Sequence, residues 1–179
     1  MTAARHIANI ALIGFMGTGK STVGRLVAEQ LKFDLLDTDA LIEERSGKKI
    51  TEIFAKNGEA AFRELESQLV AELAKRTRVV ISTGGGLPTN PANLASLKPH
   101  SLVVCLWAAP ENIFARVREQ SHRPLLHDSD PLGRIRSLLA AREKFYKQAD
   151  VLLNSDLRSA REVAAQVISQ FRLATRVRK

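Results

Sequence analysis

Gly14-Phe15-Met16-Gly17-Thr18-Gly19-Lys20-Ser21 follows the apolar set Ile7, Ile10, Ala11, Leu12 and Ile13, and precedes Val23, Leu26, Val27 and Leu31 at helical spacing. The first set reads as a buried strand and the second as the inner stripe of a helix, so the octapeptide is the turn that joins them. Glycines at 14, 17 and 19 let the backbone curl with successive N–H groups pointing inward, and the start of the following helix adds partial positive charge. A loop of this kind cradles phosphates. Gly17, Thr18, Gly19 and Thr22 are expected to line it, Lys20 to reach the β- and γ-phosphates of a nucleoside triphosphate, and Ser21 to ligate Mg²⁺. A glycine-rich turn with no ligand is the alternative, and the strand before and helix after favour the phosphate loop.

Outward from this loop, strands and helices alternate. A short strand is expected at Phe33–Leu36, helical stretches near Ala40–Ser46, Thr51–Lys56 and Glu59–Lys75, and a strand at Val79–Ser82. Asn90-Pro91 and Asp130-Pro131 pair a capping side chain with a first-turn proline, and another helix begins at Pro110. Strands follow at Leu102–Leu106 and Val151–Leu153, and Ser159-Ala160-Arg161-Glu162 is a capping box opening the last helix. Such alternation implies an α/β fold with a parallel sheet covered by helices on both faces. The polar stretch Gln120–Gly133 reads as a lid in a kinase.

With 179 residues, 45% of them hydrophobic, the chain is expected to form one domain over 1–179. No apolar run nears the roughly 20 residues needed to span a bilayer, and a cytoplasmic protein is expected. The single Cys105 lies in an apolar run and reads as a small core residue. A net charge of +8 favours anionic partners. With one Tyr and one Trp, though, there is no aromatic platform for single strands, so no nucleic-acid partner is expected.

No Asn-Lys-x-Asp motif for reading guanine is present, and Val79-Val80-Ile81 runs into Ser82-Thr83-Gly84-Gly85-Gly86 rather than an Asp that would hold a metal. The acids stand instead at Asp37-Thr38-Asp39, at the carboxyl end of the second strand, where ligands of open α/β sheets bind. One can hold a Mg²⁺-bound water and the other face an acceptor hydroxyl, while helix capping is the competing role. Arg142 falls on the stripe Ile135, Leu138, Leu139, Phe145, and Arg63 beside the stripe Phe62, Leu65, Leu69, Leu73, with Glu66 three residues on to hold it. A surface ion pair or a snorkelling side chain is the plainer reading of each arginine.

In order and spacing, the phosphate loop, Asp37-Thr38-Asp39, Phe62-Arg63-Glu64-Leu65-Glu66, Gly84-Gly85-Gly86 and Arg123-Pro124-Leu125-Leu126 resemble the shikimate kinase family across nearly the whole chain. The resemblance implies a three-layer P-loop fold with a five-stranded parallel sheet of order 2-3-1-4-5, an acid-binding helical region at about 39–75, and a lid at about 120–133. It implies transfer of the ATP γ-phosphoryl group to the 3-hydroxyl of shikimate with Mg²⁺, and a monomer is expected. Asp39 would contact the acceptor hydroxyl, Arg63 and Arg142 would grip the carboxylate, and Gly85 would lend a backbone N–H to the acid. Asp37 would stand behind the metal's water shell, Arg123 would close on the phosphates, and Arg116 would stack on adenine. The chain departs from the family pattern at Ala160, where the adenine loop often carries a Pro, so residues 154–160 have no assigned base contact. A gluconate-type kinase shares the phosphate loop and would also need cations for its acid, but should lack the Asp-Thr-Asp and Phe-Arg-x-x-Glu pairing. A non-catalytic relative should have lost Lys20, Asp39 or an arginine of the grip.

Overall fold

β1 (Asn9–Ile13) is buried at all five positions and lies in the middle of the sheet. The computed structural model of the chain describes residues 5–118 and 129–176. Around β1 stand β2 (Asp34–Asp37), β3 (Val79–Ser82), β4 (Ser101–Trp107) and β5 (Val151–Asn154), all parallel, in the order β2-β3-β1-β4-β5. This is the order that the family resemblance implies. The helices are α1 (Lys20–Leu31), α2 (Thr38–Ser46), α3 (Ile50–Leu73), α4 (Pro91–Leu97), α5 (Pro110–Val117), α6 (Pro131–Tyr146) and α7 (Ala160–Arg176).

Alternate strand residues enter two separate apolar layers. Ile10, Leu12, Val80 and Val104 pack with Val23 and Val27 of α1 and Val163 and Val167 of α7. Ala11, Ile13, Ile81 and Val103 face the other way, onto Phe62 and Leu69 of α3, Leu94 of α4, Ile113 of α5 and Ile135 of α6. Because both faces are covered, the central strands β1, β3 and β4 are near-continuous buried runs rather than alternating ones. Cys105 is fully buried here, and burial pushes its thiol up to about 12, so it stays a neutral core group.

Helix starts follow their local chemistry. Asn90 Oδ1 accepts from Ala92 N at 3.0 Å and Asp130 Oδ1 from Gly133 N at 2.9 Å. In the capping box, Ser159 N donates to Glu162 Oε2 at 2.7 Å and Glu162 N to Ser159 Oγ at 3.3 Å.

Several element boundaries shift by one or two residues, and three differences from the expected elements have a clear local cause. β2 begins one residue late, because Lys32 closes α1 in the left-handed region (φ 56°) and Phe33 N is used by Ala28 O at 3.0 Å. Phe33 packs edge-on against Phe171 of α7 instead, with ring centroids 5.7 Å apart. The two expected helices at 51–56 and 59–75 are the halves of α3, divided at Gly58 (φ 79°, ψ 173°). A 3₁₀ turn at Leu87–Thr89, unforeseen in the sequence, follows the triple glycine. Of the expected lid, residues 131–133 form the first turn of α6, while Arg123 lies outside the described residues. Among the described residues no helix is long and apolar enough to cross a membrane.

The carboxyl ends of β1, β2 and β3 open on one edge, and the phosphate loop, Asp37-Thr38-Asp39 and the triple glycine all start there.

Candidate active site

Between β1 and α1 the backbone takes positive φ at Gly14 (134°), Gly17 (74°) and Gly19 (94°). At Gly14 a Cβ would overlap the carbonyl oxygen of Leu106 on β4, and at Gly17 it would come within 2.7 Å of Val117 Cγ1 on α5. Gly14→Ala is therefore expected to lower Tm by several degrees and raise the KM for ATP severalfold, measured by thermal unfolding and initial rates; the strained φ and the clash with β4 each cost about 1 kcal/mol or more. Thr18 Oγ1 donates to Phe15 O at 2.8 Å and braces the turn. Lys20, only 9% exposed, curls back so that Nζ donates to the carbonyls of Gly14 at 2.9 Å and Phe15 at 2.8 Å.

Asp37 caps α2 with one carboxylate oxygen and reaches the phosphate loop with the other. Its Oδ1 accepts from Asp39 N at 3.1 Å and Ala40 N at 3.3 Å, which caps α2, while Oδ2 accepts from Ser21 Oγ at 3.3 Å. The β2–β3 register pairs Asp37 with Ser82, and Ser82 Oγ stands 3.5 Å from Ser21 Oγ. Ser82 was not among the candidates read from the sequence. Its signal is positional: it ends β3 where another nucleotide-binding class would place its metal-holding Asp. The three hydroxyl and carboxylate oxygens of Ser21, Asp37 and Ser82 form the donor set a hard divalent cation takes.

Asp39 stands in the first turn of α2. Its Oδ1 is buried without a partner among the described residues. Burial is the main cause that raises its pKa, with Asp37 adding to it; Lys20 and Arg63 pull it back, and Glu43 raises it slightly. Glu66 on α3 is fully buried, and its Oε1 also lacks a partner among the described residues. A Cβ on Gly84 would strike Asp39 Oδ1 and lie 3.1 Å from Glu66 Oε1, so only glycine lets both carboxyls close over this point. Burial raises the Glu66 pKa although Arg63 opposes it.

The two arginines approach the glycine loop from different helices. Arg63 on α3 donates to Glu66 Oε2 at 2.6 Å and to Glu59 Oε1 at 2.8 Å, and its guanidinium lies on Gly86, where a Cβ would meet it. Arg142 on α6 sits 5.5 Å from the Phe15 ring centroid, with Nη1 3.7 Å from where a Cβ on Gly85 would stand. Among the described residues Arg142 makes no salt bridge. A half-buried cation in that state attracts an anionic ligand.

Arg116 on α5 joins the phosphate loop to the segment after β5. It donates to Ser155 O at 2.7 Å, and to Ser155 Oγ and Gly17 O at 3.2 Å each. A side pocket of about 240 Å³ opens there, lined by Gly17, Thr22, Arg116, Ser155, Arg158 and Ala160.

The main cleft holds about 570 Å³ and gathers Gly17, Gly19, Lys20, Ser21, Thr22, Asp37, Asp39, Arg63, Gly85, Arg116 and Arg142. It also takes in Glu66 and Ser82; Thr18 lies beneath the loop and lines the side pocket. Phosphate-binding backbone at one end and two arginines at the other describe a site for two anionic ligands.

A family model for shikimate kinase matches residues 16–172. The chain belongs to the shikimate kinase family. It is similar to the shikimate kinase of Thermodesulfovibrio yellowstonii, 41% identical over 91% of this chain and 94% of that one. The shikimate kinase of Caldanaerobacter subterraneus is 44% identical over 91% of this chain and 95% of its own length. Among solved structures, a shikimate kinase from Acinetobacter baumannii in complex with shikimate superposes with a TM-score of 0.88 at 36% identity, covering 96% of both chains. These shikimate kinases match nearly the full length of this chain, and the solved one shares its fold.

Proposed function

We propose that this member of the shikimate kinase family transfers the γ-phosphoryl group of ATP to the 3-hydroxyl of shikimate, with roles divided along the cleft. The observation that carries the reading is the convergence of Arg63 and Arg142 on Gly86 and Gly85, while Asp39 stands within electrostatic reach of both Lys20 and Arg63. A compact acid whose carboxylate enters between the arginines presents its hydroxyls toward Asp39 and the phosphate loop. Asp39 orients the attacking hydroxyl and receives its proton late, since phosphoryl transfer relies mainly on alignment and charge neutralisation. Lys20 swings from the loop carbonyls to the β- and γ-phosphates. Arg116, held by Ser155, presents its guanidinium plane to the base, which lodges in the side pocket. Arg123 supplies a further positive charge to the phosphates.

The oxygens of Ser21, Asp37 and Ser82 suit Mg²⁺, with Asp37 acting through a water. Bound there with the nucleotide, the ion would neutralise phosphate charge. The acid-binding region is α2 and α3, within about 39–75 of a single domain, and the lid is about 120–133. The protein acts as a cytoplasmic monomer, so size-exclusion chromatography should place it near its 19.7 kDa mass.

Arginine substitution tests the acceptor. Removing one partner of a buried charge pair costs about 2–5 kcal/mol, so Arg142→Ala and Arg63→Ala should each reduce kcat/KM for shikimate by at least about 30-fold. The Kd for ATP should stay within a few-fold. Wild type should reject an analogue with an uncharged group in place of the carboxylate, and both mutants should lose most of that discrimination. Normal shikimate kinetics in either mutant, or preference of the wild type for gluconate, would refute the assignment of the grip.

A further inference from the structure

Tyr146 closes the last turn of α6, one helical turn after Arg142, and is 7% exposed. Its hydroxyl donates to the carbonyl oxygen of Gly85 at 2.7 Å, and Arg142 Nη1 lies 3.7 Å from where a Cβ on the same glycine would stand. Burial, the dominant influence, pushes the phenol up to about 12, so it remains a donor at any working pH.

The carbonyls of the triple glycine have different owners. Gly84 O accepts from Leu87 N at 3.2 Å, and Gly86 O accepts from Thr89 N at 3.0 Å and Thr89 Oγ1 at 2.6 Å, so both belong to the local 3₁₀ turn. Gly84 N is likewise spoken for, donating to Thr38 Oγ1 at 2.9 Å. The middle glycine is held from a distance, by Tyr146, 61 residues along the chain. Three consecutive glycines leave the backbone its widest choice of conformation, and a single strong tether narrows that choice. Gly85 also lies against the phosphate loop, with a Cβ position 3.5 Å from Gly14 O and Met16 N.

We infer that Tyr146 is a positioning residue for the acid: its phenol fixes Gly85, which offers its N–H beside the Arg142 guanidinium, so that both meet a carboxylate in register. The inference rests on the proposed carboxylate grip and adds the group that sets its geometry. A purely packing role would be filled equally by Phe, whose ring has the same shape. The hydroxyl is what reaches Gly85.

Tyr146→Phe should raise the KM for shikimate about 5- to 10-fold, the effect of leaving one buried carbonyl unpaired at about 1–1.4 kcal/mol. The Kd for ATP should stay within twofold. In an Arg142→Ala background the same change should cost less than twofold, because the grip it serves is already broken. Tyr146 is the sole tyrosine of the chain, so biosynthetic 3-fluorotyrosine reports on it alone. Its single ¹⁹F resonance should shift when shikimate is added to the intact enzyme and hold its place when ADP alone or shikimate methyl ester is added. This reading needs no mutant that folds. Unchanged KM in Tyr146→Phe, full additivity with Arg142→Ala, or a resonance indifferent to shikimate would each overturn the inference. Failure of wild type to phosphorylate shikimate would instead overturn the functional reading beneath it.

Discussion

Lys20→Ala is expected to reduce kcat by at least about 10²–10³-fold while the protein remains folded, with Tm within a few degrees of wild type. The ammonium is held at the mouth of the loop by the Gly14 and Phe15 carbonyls, and no other side chain of residues 14–21 carries positive charge. Backbone N–H groups can bind the ground-state phosphates, yet the charge that builds between the β- and γ-phosphates during transfer needs a full cation nearby. Single-turnover measurement of ADP release, with circular dichroism to monitor folding, checks this. Activity within a few-fold of wild type would remove Lys20 from the chemistry.

Asp39→Asn should combine two effects of opposite sign. Turnover should fall by about 10²-fold or more, since the amide keeps the contact to the hydroxyl but can neither hold the substrate's proton nor supply negative charge. Stability should rise at neutral pH. The pKa of Asp39 is raised in the fold, chiefly by burial, so the folded state binds its proton more tightly than the unfolded chain does. Its contribution to stability is therefore best below its unfolded value and declines as pH rises through the raised folded one. At pH 7 the ionised carboxylate is a cost the amide avoids. Denaturant titrations at pH 4 and pH 7 should show the mutant's advantage at the higher pH only. An equal shift at both pH values, or a collapse of ATP affinity, would assign Asp39 a metal or folding role instead.

What was legible in the sequence was what depends on near neighbours. The phosphate loop is eight consecutive residues, and the caps at Asn90, Asp130 and Ser159 are fixed by groups two or three residues away. The Asp37-Thr38-Asp39 turn was readable as a candidate pair, although only the structure divides the work of Asp37 between its two oxygens. Ser82 was out of reach because its partnership with Asp37 is a register across two strands. Tyr146 was missed for a different reason. The α6 stripe is served about equally by position 145 or 146, three or four residues after Arg142, and the sequence reading took Phe145. The structure buries Tyr146 and leaves Phe145 partly exposed. Only the distant Gly85 carbonyl separates the two.

The two apolar layers on either face of the sheet have a bearing on how this enzyme can change. Lys20 begins α1, which rests with α7 on one layer, while Arg63 and Arg142 ride on α3 and α6, which rest on the other. A mutational library restricted to the α3 and α6 side can therefore explore new acceptors without disturbing the packing under α1. Diversification of this scaffold toward other alcohols is, in that sense, a one-sided problem.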